Sequence, residues 1–191
     1  MRWGHEGVAP RRQRTNRSRL PNPLTPAAEY AGMNEFILRS LVIGVGATLI
    51  YDVWGFLLVR LFGLPGSNWK LAGRWFCHVA RGRPLHDNIG DARSFRMESL
   101  VGWTVHYLIG IVYAALLLAI WGVEWGRDPT LLPALIVGIG TITAGWFIMA
   151  PAMGAGFASA KRPDANRVRI IQLAGHLVFG LGLYAAALIP L

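Results

Sequence analysis

Four stretches of this sequence are long and apolar enough to cross a lipid bilayer, which takes about 20 mostly apolar residues. They are Leu41 to Val59, interrupted only by Asp52; Leu100 to Val123, where His106 is the one titratable group besides tyrosine; Leu131 to Ala160, with no charged residue; and Ile170 to Leu191, where His176 is the candidate charge. None alternates polar and apolar residues with period two, so helices rather than barrel strands are predicted. The spans are placed at about 38–59, 100–122, 131–151 and 168–189. The expected fold class is all-α, an integral membrane four-helix bundle. Composition agrees: only 15% of residues are charged and 53% are hydrophobic, against about 25% charged in a soluble domain. A lone cysteine, Cys77, excludes a disulfide scaffold.

Charge orients the spans. The connection from Arg60 to Ser99 carries Arg60, Lys70, Arg74, Arg81, Arg83, Arg93 and Arg96, and the one from Lys161 to Arg169 carries Lys161, Arg162, Arg167 and Arg169. The turn from Glu124 to Thr130 carries Arg127 beside Glu124 and Asp128. By the positive-inside rule the first and third connections are expected in the cytoplasm and both chain ends outside. Residues 1–32 oppose that orientation, with six Arg, four Pro and no apolar periodicity. They read either as a disordered basic tail or as a misassigned start, with translation beginning at Met33; the charge rule favours the second. No secretory signal is visible there, and no motif accompanies the arginines that would make them a nucleic-acid site.

Within the first connection, Ser67 is the expected cap of a short helix through Asn68 to His78. Its Trp69, Trp75 and Phe76 with Lys70 and Arg74 suit a helix lying among lipid headgroups. In the third run, Pro151 removes a helix hydrogen bond, frees the carbonyl of Phe147 and marks the expected break. The second and fourth spans share His-x-x-x-Gly followed by Tyr-Ala-Ala, at His106–Gly110 and His176–Gly180. Gly44-Val-Gly46-Ala-Thr48 resembles Gly138-Ile-Gly140-Thr-Ile-Thr143 in the other two. A duplicated helix hairpin would explain both phrases, each unit having two spans.

Depth singles out three side chains. Asp52 lies about 12 Å inside Arg60 along a helix; His106 and His176 each lie roughly 10 Å inside Ser99 and Arg169. A titratable layer formed by Asp52, His106 and His176 is therefore expected. Buried aspartate is costly in a span, so it needs a partner facing the interior. Three uses are open: plain interhelical hydrogen bonding, a proton or small-solute path, and a haem or metal site. No ligand spacing supports the last, so neither metal nor cofactor is expected, and nothing points to an enzyme. The connection offers a second candidate site, Arg74, His78, His86 and Glu98, with Cys77 and Asp87 nearby in a spacing that fits no standard zinc motif. The bilayer is the expected partner, with a homo-oligomer or another membrane protein left open.

These residues resemble a bacterial membrane family catalogued as domain of unknown function 2938. The resemblance is carried by Gly44-x-Gly46-Ala-Thr48-x-x-x-Asp52-x-Trp54, then Asn68-Trp69, Gly73-Arg74-Trp75, His78, Gly82, His86 and Ile89. It continues through Glu98, Gly102-Trp103, His106-Tyr107, Gly110, Pro151-x-x-Gly154-x-Gly156, Pro163, Arg167 and His176-x-x-Phe179-Gly180-x-Gly182-Leu183-Tyr184. It covers about residues 34–188. Tyr51 and Gly145 stand where that family often has Met and Pro, so the third helix is expected to be less kinked at Gly145. The resemblance implies a small four-span inner-membrane protein and brings no activity with it. A polytopic protein that moves or senses a proton or small solute is the leading expectation; a structural or accessory membrane subunit is the alternative.

Overall fold

The structure, a computed structural model, describes residues 26–64 and 66–191, with only the backbone at residues 27 and 28. Among the described residues it is all-helical, and four helices are long and apolar enough to cross a membrane. Helix α1 (Pro26–Phe62) has 37 residues, about 55 Å at the helical rise. It contains the expected span and continues at both ends. Residues 26–32, counted with the basic tail on sequence grounds, form its first turns. Pro26 suits a first helical position, where its missing N–H is not needed, and Glu29 sits in the positive first turn. The rest of that tail, 1–25, lies outside the described residues.

A short helix α2 (Trp69–Val79) follows, then α3 (Glu98–Trp121), which ends where Gly122 takes φ 83°. One turn, α4 (Val123–Arg127), leads into the third long helix, Leu131–Ala152. That helix is irregular. It is α-helical over α5 (Leu131–Gly140), turns at Thr141, resumes as α6 (Ile142–Ala144), widens to π geometry over Gly145–Met149 and closes with α7 (Ala150–Ala152). The widening falls where the absent proline led us to expect a straighter helix. Pro151 has no N–H to give, and the Ala150 N–H reaches back to the Gly145 carbonyl instead. Helix α8 (Ala165–Ala187) completes the chain.

Packing order follows from small residues. Helix α1 lies against both α3 and α8, α8 also lies against α5, and α3 barely touches the third long helix. The core between them holds Ile43, Ala47, Leu117, Ala134 and Leu183, each 1% exposed or less. A Cβ on Gly44 would lie 2.4 Å from the Ile111 Cα, and one on Gly138 would lie 2.4 Å from the Gly180 Cα. The repeated phrases thus meet at like crossings, and each carries a threonine bonded to its glycine carbonyl: Thr48 to Gly44 and Thr141 to Gly138, both at 2.7 Å. Such close backbone approach is how apolar helices without a hydrophobic driving force gain packing.

Two ends can be distinguished. At one, Arg39 donates to the Gly126 carbonyl and Arg127 pairs with Glu35, tying α1 to the short turn. At the other, the first and third connections meet: the His86 N–H donates to the Ala152 carbonyl (2.9 Å) and the Ile89 N–H to that of Met153 (3.0 Å). A small second core of Trp75, Ile89 and Ala152 seals that junction.

Candidate functional site

Asp52, on α1, finds its partners on α3. Its Oδ1 lies 2.9 Å from His106 Nε2, and the Tyr107 hydroxyl donates to Oδ2 at 2.9 Å. Adjacent residues on one helix point about 100° apart, and the carboxylate sits between them, one oxygen to each. His106 is further held by Trp69, whose ring stacks on the imidazole at 3.7 Å between centroids. That contact refines the reading of α2, giving one of its rings a partner inside the protein. Trp69, Trp75 and Phe76 turn inward, onto His106 and the gap beneath it, while Lys70 stays exposed. The helix cap is also corrected: the Asn68 side chain accepts from the Leu71 N–H, and Ser67 hydrogen-bonds Tyr51 instead.

His176, on α8, does not join the aspartate. Its Nδ1 lies 3.0 Å from Thr141 Oγ1 and 3.1 Å from the Gly138 carbonyl. The two histidines nonetheless face one space. A cavity of about 290 Å³ fills the gap between α3 and the third long helix, lined by His106, Ile109, Gly110 and Tyr113 on one side and Thr141, Ala144, Gly145, Ile148 and Met149 on the other. His176 and Phe179 close it from α8, Thr48 and Tyr51 from α1, and Trp69, Trp75 and Phe76 from α2. No Asp, Glu, Lys or Arg lines it; Asp52 stands behind His106. The π turn supplies three lining residues, which a regular helix would place differently, and Pro151 itself stays outside the lining.

Partners assign the histidine protons. An ionised carboxylate and a carbonyl only accept, so opposite the Asp52 carboxylate it is His106 Nε2 that carries the shared proton. Thr141 spends its hydroxyl proton on Gly138, so His176 Nδ1 must also be the donor. In the neutral rings, His106 Nδ1 and His176 Nε2 are then bare acceptors. No hydrogen bond among the described residues uses either nitrogen; the buried side-chain polar atom left without a partner there is His86 Nδ1.

The second candidate cluster falls into an ion pair and a separate histidine contact. Glu98 is 2% exposed and takes a two-pronged bond from Arg74, Nε to Oε2 at 2.9 Å and Nη2 to Oε1 at 3.0 Å. Arg74 also donates to the Gly90 carbonyl at 2.8 Å. The Glu98 carboxylate pushes the guanidinium pKa above its ordinary value, chiefly through that hydrogen bond. His78 donates from Nε2 to the Arg93 carbonyl (3.0 Å) and packs edge-on against His86 at 4.7 Å between centroids. Neither histidine meets the Arg74–Glu98 pair in a common site. Among the described residues no three His, Cys, Asp or Glu side chains converge as a metal site would require.

The family model described as "Protein of unknown function (DUF2938)" matches residues 41–190. The chain belongs to this family. No curated protein and no solved structure matches it. For this DUF2938 chain the sequence missed three site residues: Tyr107, Thr141 and Trp69. Tyr107 was readable as a hydroxyl one residue from a buried histidine. Thr141 was readable only as part of the Gly-x-Gly phrase that resembles Gly44–Thr48. Nothing local marks Trp69 as a stacking partner rather than a surface anchor.

Proposed function

We propose that this chain is a four-span bundle of the bacterial inner membrane that takes a small solute into its central cavity, with Asp52 and His106 exchanging a proton as it does so. The observation that carries the reading is the shared cavity: His106 and His176 come from different helices and open on one space, and an intramembrane carboxylate stands directly behind the first. Ionisable groups inside a span are costly and are kept where they act on ions or protons. Imidazole is the side chain whose charge changes near neutral pH, and a carboxylate partner tunes it. The gap between α3 and the third long helix and the irregular turns of the latter are where such a bundle would open.

Liposomes enclosing a pH dye, driven by an imposed potassium diffusion potential, test the proton part. The intact protein is expected to acidify or alkalinise the lumen with the sign of the potential. Asp52→Asn keeps the shape and the Tyr107 bond and is expected to slow the flux at least about tenfold, the cost of losing the proton-accepting group. Equal rates in both, or none above empty liposomes, would sink the proton reading. The latter, with a stable partner in mild-detergent pull-downs, would favour an accessory subunit.

Orientation belongs to the same proposal. The first and third connections share one end of the molecule and carry most of the described basic residues, and the positive-inside rule favours the cytoplasm for that end. Alkaline phosphatase fused after Leu191 is expected to be active and a cytoplasm-dependent reporter at the same point silent; the reverse pattern would invert the topology.

The short helix α2 then lies at the cytoplasmic headgroup level, its rings inward and its Lys70 toward the phosphates.

A further inference from the structure

The two histidines that open on the cavity present lone pairs, not protons, because each spends its N–H on a fixed acceptor: Asp52 for His106, the Gly138–Thr141 pair for His176. The remaining lining is mostly apolar or aromatic, with Phe179, Tyr113 and Ile148 in it; the Thr48 and Thr141 hydroxyls spend their protons on carbonyls of their own helices, and no Asp, Glu, Lys or Arg faces the space. At about 290 Å³ it stands at the small end of ligand pockets, which run from roughly 300 to 1,000 Å³. It occupies a seam where two neighbouring long helices scarcely touch.

We infer that the cavity binds a neutral, ring-sized, lipid-soluble molecule bearing two hydroxyl donors, a hydroquinone, whose hydroxyls are accepted by His106 Nδ1 and His176 Nε2. A charged solute would find no counter-ion there, and a plain hydrocarbon would leave two buried acceptors unpaired. A haem is larger than the space. A quinone, the oxidised counterpart, has only acceptors to offer and would set lone pair against lone pair. This inference rests on the reading of the cavity as a solute site and names the solute class.

The test is equilibrium dialysis of the full chain in phosphatidylcholine nanodiscs, under argon, with empty nanodiscs subtracting partition into lipid. The probes are trimethylhydroquinone, its bis-O-methyl ether and trimethylbenzoquinone. The hydroquinone is expected to bind at one site, with the ether and the quinone each at least about tenfold weaker, roughly the cost of one buried acceptor left unpaired. His106→Phe and His176→Phe are expected to abolish that preference while still admitting the ether; the three-probe comparison on the unaltered chain stands without them if either fails to fold. Equal binding of hydroquinone and ether would overturn the donor assignment yet leave the cavity a solute site. A quinone bound more tightly than the hydroquinone would mean that the protein donates, and overturns it too. No binding of any probe would remove both this inference and the solute reading. Zinc(II) or copper(I) retained stoichiometrically by the unaltered chain and lost in both variants would show the lone pairs to be metal ligands, and would also overturn it, since histidines oriented by a carboxylate and a carbonyl suit that use as well.

Discussion

Gly73→Ala is expected to lift α2 off α3. A Cβ on Gly73 would lie 1.8 Å from the Glu98 carbonyl oxygen, and one on Gly102 would lie 1.8 Å from that of Trp69. Both obstacles are backbone, so no rotamer change relieves them and the two helices must separate. Overpacking typically costs about 1–3 kcal/mol, and this site belongs at or above the top of that range. Separation takes Trp69 away from His106 and removes one wall of the cavity. The single cysteine reports it: Cys77 lies half-buried on α2, and its maleimide labelling should accelerate about tenfold or more as the helix detaches. Gly140→Ala is the control, since nothing lies within 4 Å of its added Cβ, and it should stay within about 0.5 kcal/mol of the parent. Unchanged labelling and stability in Gly73→Ala would mean that the α2–α3 contact is not the one described.

The second large effect is expected at Arg74 and Glu98. Their side chains are 11% and 3% exposed, and breaking a buried pair by removing one partner costs about 3–5 kcal/mol because the other charge is stranded. Arg74→Ala should therefore unfold at markedly lower denaturant or temperature. It should also loosen the segment around residues 89–92, whose carbonyls the guanidinium holds, seen as faster hydrogen exchange there. Arg74→Lys should recover little, since an ammonium cannot reproduce the two-pronged bond and the carbonyl contacts together. Replacing both residues, Arg74→Met with Glu98→Leu, should cost less than either single loss. A double variant as unstable as the sum of the singles would show that the pair is not energetically coupled.

Much of the fold was legible because one physical demand dominates. Apolar runs of this length must satisfy their own backbone, and helices do so, which is why the four long helices fall on the four runs. Aspartate and histidine inside such runs were visible for the same reason: they are rare and expensive there. Pro151 announced a disturbance, which the structure puts just before it as the π geometry over Gly145–Met149. A missing N–H predicts a disturbance, and whether the turn tightens, kinks or widens depends on what packs against it. How the loop cluster divides was not legible. Arg74 and Glu98 lie 24 residues apart, and only the crossing of α2 on α3 at Gly73 and Gly102 turns them into an anchor.

By itself, then, the sequence determined that the chain is four long apolar helices with a titratable group at like depth in three of them. Tertiary structure alone decided that Asp52 pairs with His106 and Tyr107, that His176 pairs with Thr141, and that both imidazoles open on one cavity. The reason lies in the helices being apolar on nearly every face. An amphipathic helix announces its buried side by its polar one; these do not, so contact at Gly44, Gly110, Gly138 and Gly180, where backbones can touch, selects which faces meet and which side chains are left looking into the gap.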